Sequence, residues 1–357
     1  MLKRLLLTDF RNYPQAEFFP DPRISLIHGD NGSGKTSLLE AIYTLSTGRS
    51  FRTAKLGKLV RDQADQLLLF AEVEREGEIH RLGMRRGRQG IEDLRLDGER
   101  PRSLSQLAHL LPTQVFHPES VNLIYGESSI RRAFLDWGLF HVEHDFQVYW
   151  QRFRQLLEQR NKLLKSPSLS ERELAPWNQQ LVEVSARIDR SRRSYLARVL
   201  EHFQKAHARV GTLKEVDIGY YPGWPENETF ETALTRHLEQ DRQRGFTSVG
   251  PHRGDLRLRN GGHLAKDVFS RGQCKTLAYA LLLAQLYFLV EEIRRPCLLL
   301  VDDLSSELDR EHRYALFDAL RQLNQQMIVS QLEDDGLFAQ EEAKRFHVEH
   351  GWIKTSE

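Results

Sequence analysis

One octapeptide constrains this chain more tightly than any other feature. Gly29-Asp30-Asn31-Gly32-Ser33-Gly34-Lys35-Thr36 fits the phosphate-loop pattern G-x-x-x-x-G-K-[ST] at every fixed position, and a chance match in a chain of this length has a probability on the order of 1%. The apolar run Ile24 to His28 before it reads as a strand, and Ser37 to about Leu45 after it reads as a helix. That context makes an anion site, because the glycines let successive N–H groups converge and the helix end adds partial positive charge. Lys35 is then expected against the β and γ phosphates of ATP, with the Thr36 hydroxyl on Mg²⁺.

A phosphate loop needs a carboxylate at the end of a second buried strand to hold the metal's water shell. Leu298-Leu299-Leu300-Val301-Asp302-Asp303 supplies one. Asp302 is the metal-side acid, and Thr36 with Asp302 forms the expected metal site. Asp303 stands where many such ATPases carry a Glu that orients the attacking water. An Asp is one methylene shorter, which predicts slow turnover suited to a switch. Lys35, Asp302 and Asp303 are the catalytic candidates.

With 357 residues, the chain exceeds one ordinary core, so a main domain with a second lobe is expected. Strands are predicted at Leu2 to Thr8 and Leu67 to Glu74, with hairpins through Pro101. From about Ser129 to Arg209 the pattern turns helical, broken at Ser166 to Ser170. Strands return at Glu215 to Tyr221 and Asp255 to Arg259, then a helix at Leu277 to Val290 and a strand at Cys297 to Val301. No run of eighteen apolar residues and no secretory signal occurs, and the two cysteines, Cys274 and Cys297, lack metal-ligand spacing. A reducing, cytoplasmic protein without a membrane partner is expected. The net charge of +1 gives no global cationic field, so any nucleic-acid site must be a local patch.

Phe269-Ser270-Arg271-Gly272-Gln273 precedes the apolar helix, and Ser306-Glu307-Leu308-Asp309 follows the carboxylate strand. This order resembles the signature, carboxylate strand and D-loop of ABC ATPases, with Arg271 replacing the first signature glycine. The resemblance implies an α/β, ABC-type P-loop ATPase head built from N- and C-terminal segments, with a mostly helical inserted second domain. Residues 1–135 and 245–357 would form the head, and 136–244 a lever-arm-like insertion. In that fold Ser270, Gly272 and Gln273 bind the γ-phosphate held by an opposite subunit, which implies an ATP-dependent homodimer.

The wide spacing between phosphate loop and signature is that of the DNA-repair branch related to SMC proteins. The chain resembles the RecF family across its length, through Leu7-Thr8-Asp9-Phe10-Arg11-Asn12, Gly48-Arg49-Ser50-Phe51-Arg52, Arg131-Arg132-Ala133-Phe134-Leu135-Asp136, Gly250-Pro251-His252-Arg253 and the Ser-Arg-Gly-Gln signature. Two positions depart from the pattern. Gly126-Glu127-Ser128 replaces a Gly, small, Pro turn, and Gln331 stands where many ABC proteins carry a switch histidine. The resemblance implies Arg11 as a nucleotide contact and work with RecR and RecO in loading recombinase at gapped DNA, within recombinational repair, replication maintenance and the SOS response.

On the helix predicted from Leu181 to Val210, Leu181, Val184, Ile188, Tyr195, Val199 and Ala206 share one stripe. Arg187, Arg198, Lys205 and Arg209 share the adjacent face and are candidate DNA-phosphate contacts. The competing expectation is a solvated face, with Glu183 and Glu201 four residues before Arg187 and Lys205. The rival function, an ABC subunit coupled to a membrane transporter, predicts a compact insertion and a switch histidine.

Overall fold

A computed structural model of the chain describes residues 1–143, 145–166, 170–211, 215–304, 308–332 and 343–356. Two β-hairpin strands open it, β1 (Leu2–Phe10) and β2 (Tyr13–Phe18), followed by β3 (Ile24–His28) and α1 (Lys35–Thr47). Next come β4 (Gln66–Arg75), β5 (Glu78–Gly87), β6 (Ile91–Leu96), α2 (Leu104–Leu110) and β7 (Thr113–Phe116). The helical stretch holds α3 (Asn122–Tyr125), α4 (Ser128–Val142), α5 (Phe146–Leu164) and α6 (Glu171–Val210). After it stand β8 (Asp217–Tyr221), α7 (Phe230–Arg236), α8 (Leu238–Arg244), β9 (Asp255–Asn260), β10 (His263–Leu264), α9 (Ala265–Val268) and α10 (Arg271–Tyr287). The last elements are β11 (Leu298–Asp302), α11 (Arg310–Gln322), β12 (Met327–Gln331), β13 (Lys344–Glu349) and β14 (Trp352–Ser356).

The first compact unit joins residues 1–120 to 290–357. Its five-stranded antiparallel sheet runs β2-β1-β4-β5-β6, and its six-stranded sheet runs β14-β13-β3-β12-β11-β7. In the second sheet β13, β3, β12, β11 and β7 are parallel, and β14 closes the edge antiparallel. Leu38, Leu39, Ala41, Ile42 and Leu45 of α1 share one buried cluster with Leu5 and Leu7 of β1 and with Ile27, Leu300, Ile328 and Phe346 of the parallel sheet. Each such leucine or isoleucine contributes about 1.5–3 kcal/mol on burial, so the helix that starts at the phosphate loop is fixed from both sides. β11 is buried along its whole length, from Leu298 to Asp302, as a central parallel strand must be.

The second unit is residues 121–289. It contains α4 to α6, a three-stranded sheet in the order β10-β9-β8, and α10. The forty residues of α6 make a helix about 60 Å long, opened by a reciprocal capping box between Ser170 and Glu173. Its expected stripe is buried as read from the sequence, with Arg192 and Phe203 added to it. The break expected at Ser166 to Ser170 falls between α5 and α6, with residues 167–169 outside the described ones.

The compact units part at 120/121 and 289/290, so residues 121–135 and 245–289 of the expected head pack with the second unit. The reason is the packing of α10 on α6: the Gln285 amide donates to the Tyr195 hydroxyl at 2.7 Å and to the Phe134 carbonyl at 2.9 Å. By composition alone Arg271–Glu292 is long and apolar enough to cross a bilayer, yet most of it is buried within the protein. Gln331 is the last residue of β12, which lies inside the sheet between β3 and β11.

Candidate nucleotide site

The phosphate loop folds as its glycines require. Gly29 and Gly34 have φ of +148° and +124°, and a Cβ at Gly29 would lie 2.2 Å from the Val348 carbonyl oxygen. At Gly34 it would lie 2.8 Å from Asn12 Nδ2 and 2.9 Å from the Tyr13 hydroxyl. The loop is held from outside by three bonds: Asn12 Nδ2 donates to Ser33 O at 2.9 Å, Tyr13 to Gly34 O at 3.0 Å, and the Gly351 N–H to Ser33 O at 3.1 Å. Inside it, the buried Ser33 Oγ has no hydrogen-bond partner, and the space a Cβ would take at Gly32 is open. An orphan hydroxyl and backbone turned around a free volume suit an anion rich in acceptor oxygens.

Lys35 is buried in the cradle, its ammonium donating to the carbonyls of Gly29 and Asp30, the latter at 2.9 Å. Burial pulls its pKa down, against the opposing fields of Asp303, Asp302 and Asp30. Thr36 Oγ1 donates to Asp302 Oδ1 at 2.8 Å across 266 residues of sequence. Ser330 Oγ donates to the same oxygen at 2.6 Å, because Ser330 stands beside Asp302 in the β11–β12 register. Burial raises the Asp302 pKa, and the bonds from Ser330 and Thr36 work against that rise. An acid so buried, with a threonine hydroxyl on it, has the donor set for Mg²⁺. Asp303 takes a left-handed φ of +37° while its N–H bonds Ser330 O at 3.1 Å. Gln331 ends β12 opposite His28, the residue before the loop, and is 7% exposed.

Arg11 lies in the same unit, at the β1–β2 turn, with its guanidinium forked onto the buried Glu40 at 2.9 and 2.7 Å. The sequence reading missed Glu40, Ser330 and Tyr13, whose roles depend on partners distant in the chain. Asn12 was in view only as part of a motif.

The signature residues belong to the other unit. Ser270 caps α10 with Gln273 in a reciprocal capping box: Ser270 N donates to Gln273 Oε1 at 2.9 Å and Gln273 N to Ser270 Oγ at 3.3 Å. Ser270, Arg271 and Gly272 are exposed. Of the D-loop segment, Ser306 and Glu307 lie outside the described residues, and Asp309 caps α11 through His312 N.

The candidate DNA ridge is exposed at Arg187, Arg198, Lys205 and Arg209. Arg198 and Lys205 also pack on aromatic rings. Arg198 lies over the Phe288 ring and 3.4 Å from Glu201, and Lys205 lies 4.2 Å from the Tyr287 ring centre.

Residues 1–354 match the RecF/RecN/SMC N terminal domain family. The chain is 41% identical, over 99% of its length, to the DNA replication and repair protein RecF of Pseudomonas fluorescens, of which it covers 97%. It is 42% identical to the protein of that name from Stutzerimonas stutzeri, of which it covers 96%. Among solved structures it is similar along its whole length to the recombination mediator protein RecF in the RecFOR pathway, as RecF-ATPrS (TM-score 0.88, 26% identity, 98% of that chain covered). The RecF-ATP structure gives a TM-score of 0.88 at 25% identity, with 97% of that chain covered. An Smc head bound to the C-winged helix domain of ScpA shares the fold, with a TM-score of 0.60 at 15% identity and 96% of that chain covered.

Proposed function

The chain belongs to the RecF family, and from that premise we propose that it is a cytoplasmic, ATP-dependent DNA-binding protein of recombinational repair and replication maintenance. It dimerises around ATP at gapped or single-strand-containing DNA, hydrolyses the nucleotide slowly, and assists recombinase loading with RecR and RecO.

The observation that carries this reading is the Thr36–Asp302 bond at 2.8 Å. It brings the hydroxyl and the carboxylate of a metal–phosphate site together beside a loop in which Gly29 and Gly34 leave no room for a Cβ. Lys35 would neutralise the β and γ phosphates, and Thr36 with Asp302 would hold Mg²⁺, which screens the phosphate charge. Asp303 accepts a hydrogen bond from the attacking water. Its short side chain and the uncharged amide of Gln331, which can donate to a phosphate but carries no proton, favour slow turnover. Dimerisation is supported by the exposed Ser270 and by the apolar side chains on the same unit, Tyr125, Ile130, Leu264 and Val268, which are 39–43% exposed. DNA contacts fall to the exposed face of α6, at Arg187, Arg198, Lys205 and Arg209.

Size-exclusion chromatography with ATP, ADP or no nucleotide, each with and without gapped duplex, tests the proposal. The dimer should appear with ATP and be absent with ADP. A protein that stays monomeric with ATP and DNA together would not be the proposed clamp.

A further inference from the structure

Five residues beyond Lys35, the carboxylate of Glu40 is completely buried. Such a group is tolerated only where donors surround it. Glu40 has them from two separate loops. Arg11 forks onto it at 2.9 and 2.7 Å, with its own N–H fixed to Leu59 O at 2.8 Å and its Nη1 to Lys58 O at 3.2 Å. From the loop after α1, Ser50 Oγ donates to Glu40 Oε1 and Arg52 Nη1 stands 3.5 Å from Oε2. Ser50 Oγ in turn accepts the N–H groups of Arg52 and Thr53, both at 3.0 Å, so the carboxylate sets the shape of this turn. Two guanidinium groups on one carboxylate leave a net positive charge. Arg52 is the more exposed of the two, 44% against 20% for Arg11, and Glu40, which holds it, stands one turn of α1 after Thr36. The surplus charge therefore lies toward the metal end of the phosphate site.

We propose that Glu40 is a positioning residue for phosphate recognition: it tethers Arg11 and Arg52 so that the Arg52 guanidinium is presented, with its rotamers already restricted, to the terminal phosphate of the nucleotide. This rests on the reading that the loop from Gly29 to Thr36 binds ATP. A long cation that must be ordered at the moment of binding weakens the complex by the entropy of that ordering. Pre-ordering by a buried anion removes the cost, and the gain falls on whichever phosphate the guanidinium meets.

Glu40→Gln keeps the side-chain volume and an acceptor for Ser50 while removing the charge. Calorimetric titration of ATP and ADP with Mg²⁺ into Glu40→Gln, Arg52→Gln and the double variant should show ATP affinity reduced about tenfold in each single variant, the scale of one charge-assisted contact. ADP affinity should fall less, and the double variant should be no weaker than Arg52→Gln alone. Equal losses for ATP and ADP, or losses that multiply in the double variant, overturn the proposal. If Glu40→Gln does not fold, Arg52→Gln decides alone: unchanged ATP affinity there overturns it. A wild-type protein that binds no ATP overturns the phosphate-loop reading and this one together. Binding that Lys35→Ala loses and both Gln variants keep overturns this one only.

Discussion

Burial keeps His252 neutral. Its Nε2 donates to Thr247 O at 3.0 Å, its Nδ1 is buried without a partner, and its ring lies 5.7 Å from that of Phe153. Desolvation pulls its pKa down from 6.5 to about 4, helped by Arg253 and Arg132 and opposed by the Thr247 bond and Asp241. A histidine whose folded pKa is depressed contributes no penalty above the unfolded value of 6.5. As pH falls below that, the unfolded chain takes up a proton that the folded one refuses, so stability is lost between about pH 6.5 and pH 4. Between pH 7 and pH 5 this amounts to about 2 kcal/mol. His252→Gln, which retains a donor for Thr247 O, should remove about that much of the acid sensitivity, read as the difference between urea unfolding curves at the two pH values. An unchanged pH dependence would mean the ring is protonated in the fold. Sequence showed His252 only as part of a motif. Its neutrality comes from burial among residues such as Phe153, nearly a hundred positions away. The phosphate loop was legible for the opposite reason: its eight residues carry their function in local backbone geometry.

At the scale of elements, α10 shows one sequence pattern serving two purposes. Ser270 and Gln273 were read as phosphate ligands, and Ser-x-x-Gln is equally a capping-box pattern, the form that the structure displays. Replacing Ser270 by Ala therefore costs about 1 kcal/mol of helix stability before any nucleotide is considered. Ser270→Asp separates the two roles, because Asp caps as well as Ser but sets a carboxylate against a phosphate. The variant should melt within about 0.5 kcal/mol of wild type and bind ATP as a monomer, yet give no ATP-dependent dimer on size exclusion. An Asp variant that still dimerises would leave Ser270 as a helix cap alone. α6 carries the same lesson on its charged face. The helix and its apolar stripe were plain from periodicity, while the seats of Arg198 and Lys205 on Phe288 and Tyr287 depend on which helix packs alongside.

For the whole molecule, the boundaries expected from sequence lie where composition turns helical, whereas the compact units follow the packing of α10 on α6, as in the Tyr195–Gln285 bond across 90 residues. Lys35 and Ser270 consequently belong to different compact units. If each signature serves the loop of a second copy, a variant defective in one unit can be complemented by a variant defective in the other. A Lys35→Ala chain has a normal Ser270 and no phosphate grip. A Ser270→Asp chain has a normal phosphate loop and a repelling signature. Paired with each other, they form one site in which both defects meet and one in which neither is present. Neither variant alone should dimerise with ATP, whereas an equal mixture should give a dimer holding a single nucleotide, with the loop of the Ser270→Asp chain as its seat. Labelling the two chains differently identifies that dimer as mixed. If the signature instead served its own chain, every site in the mixture would carry one defect and no dimer would form. The mixture tests the geometry of the clamp without requiring that hydrolysis be fast enough to measure.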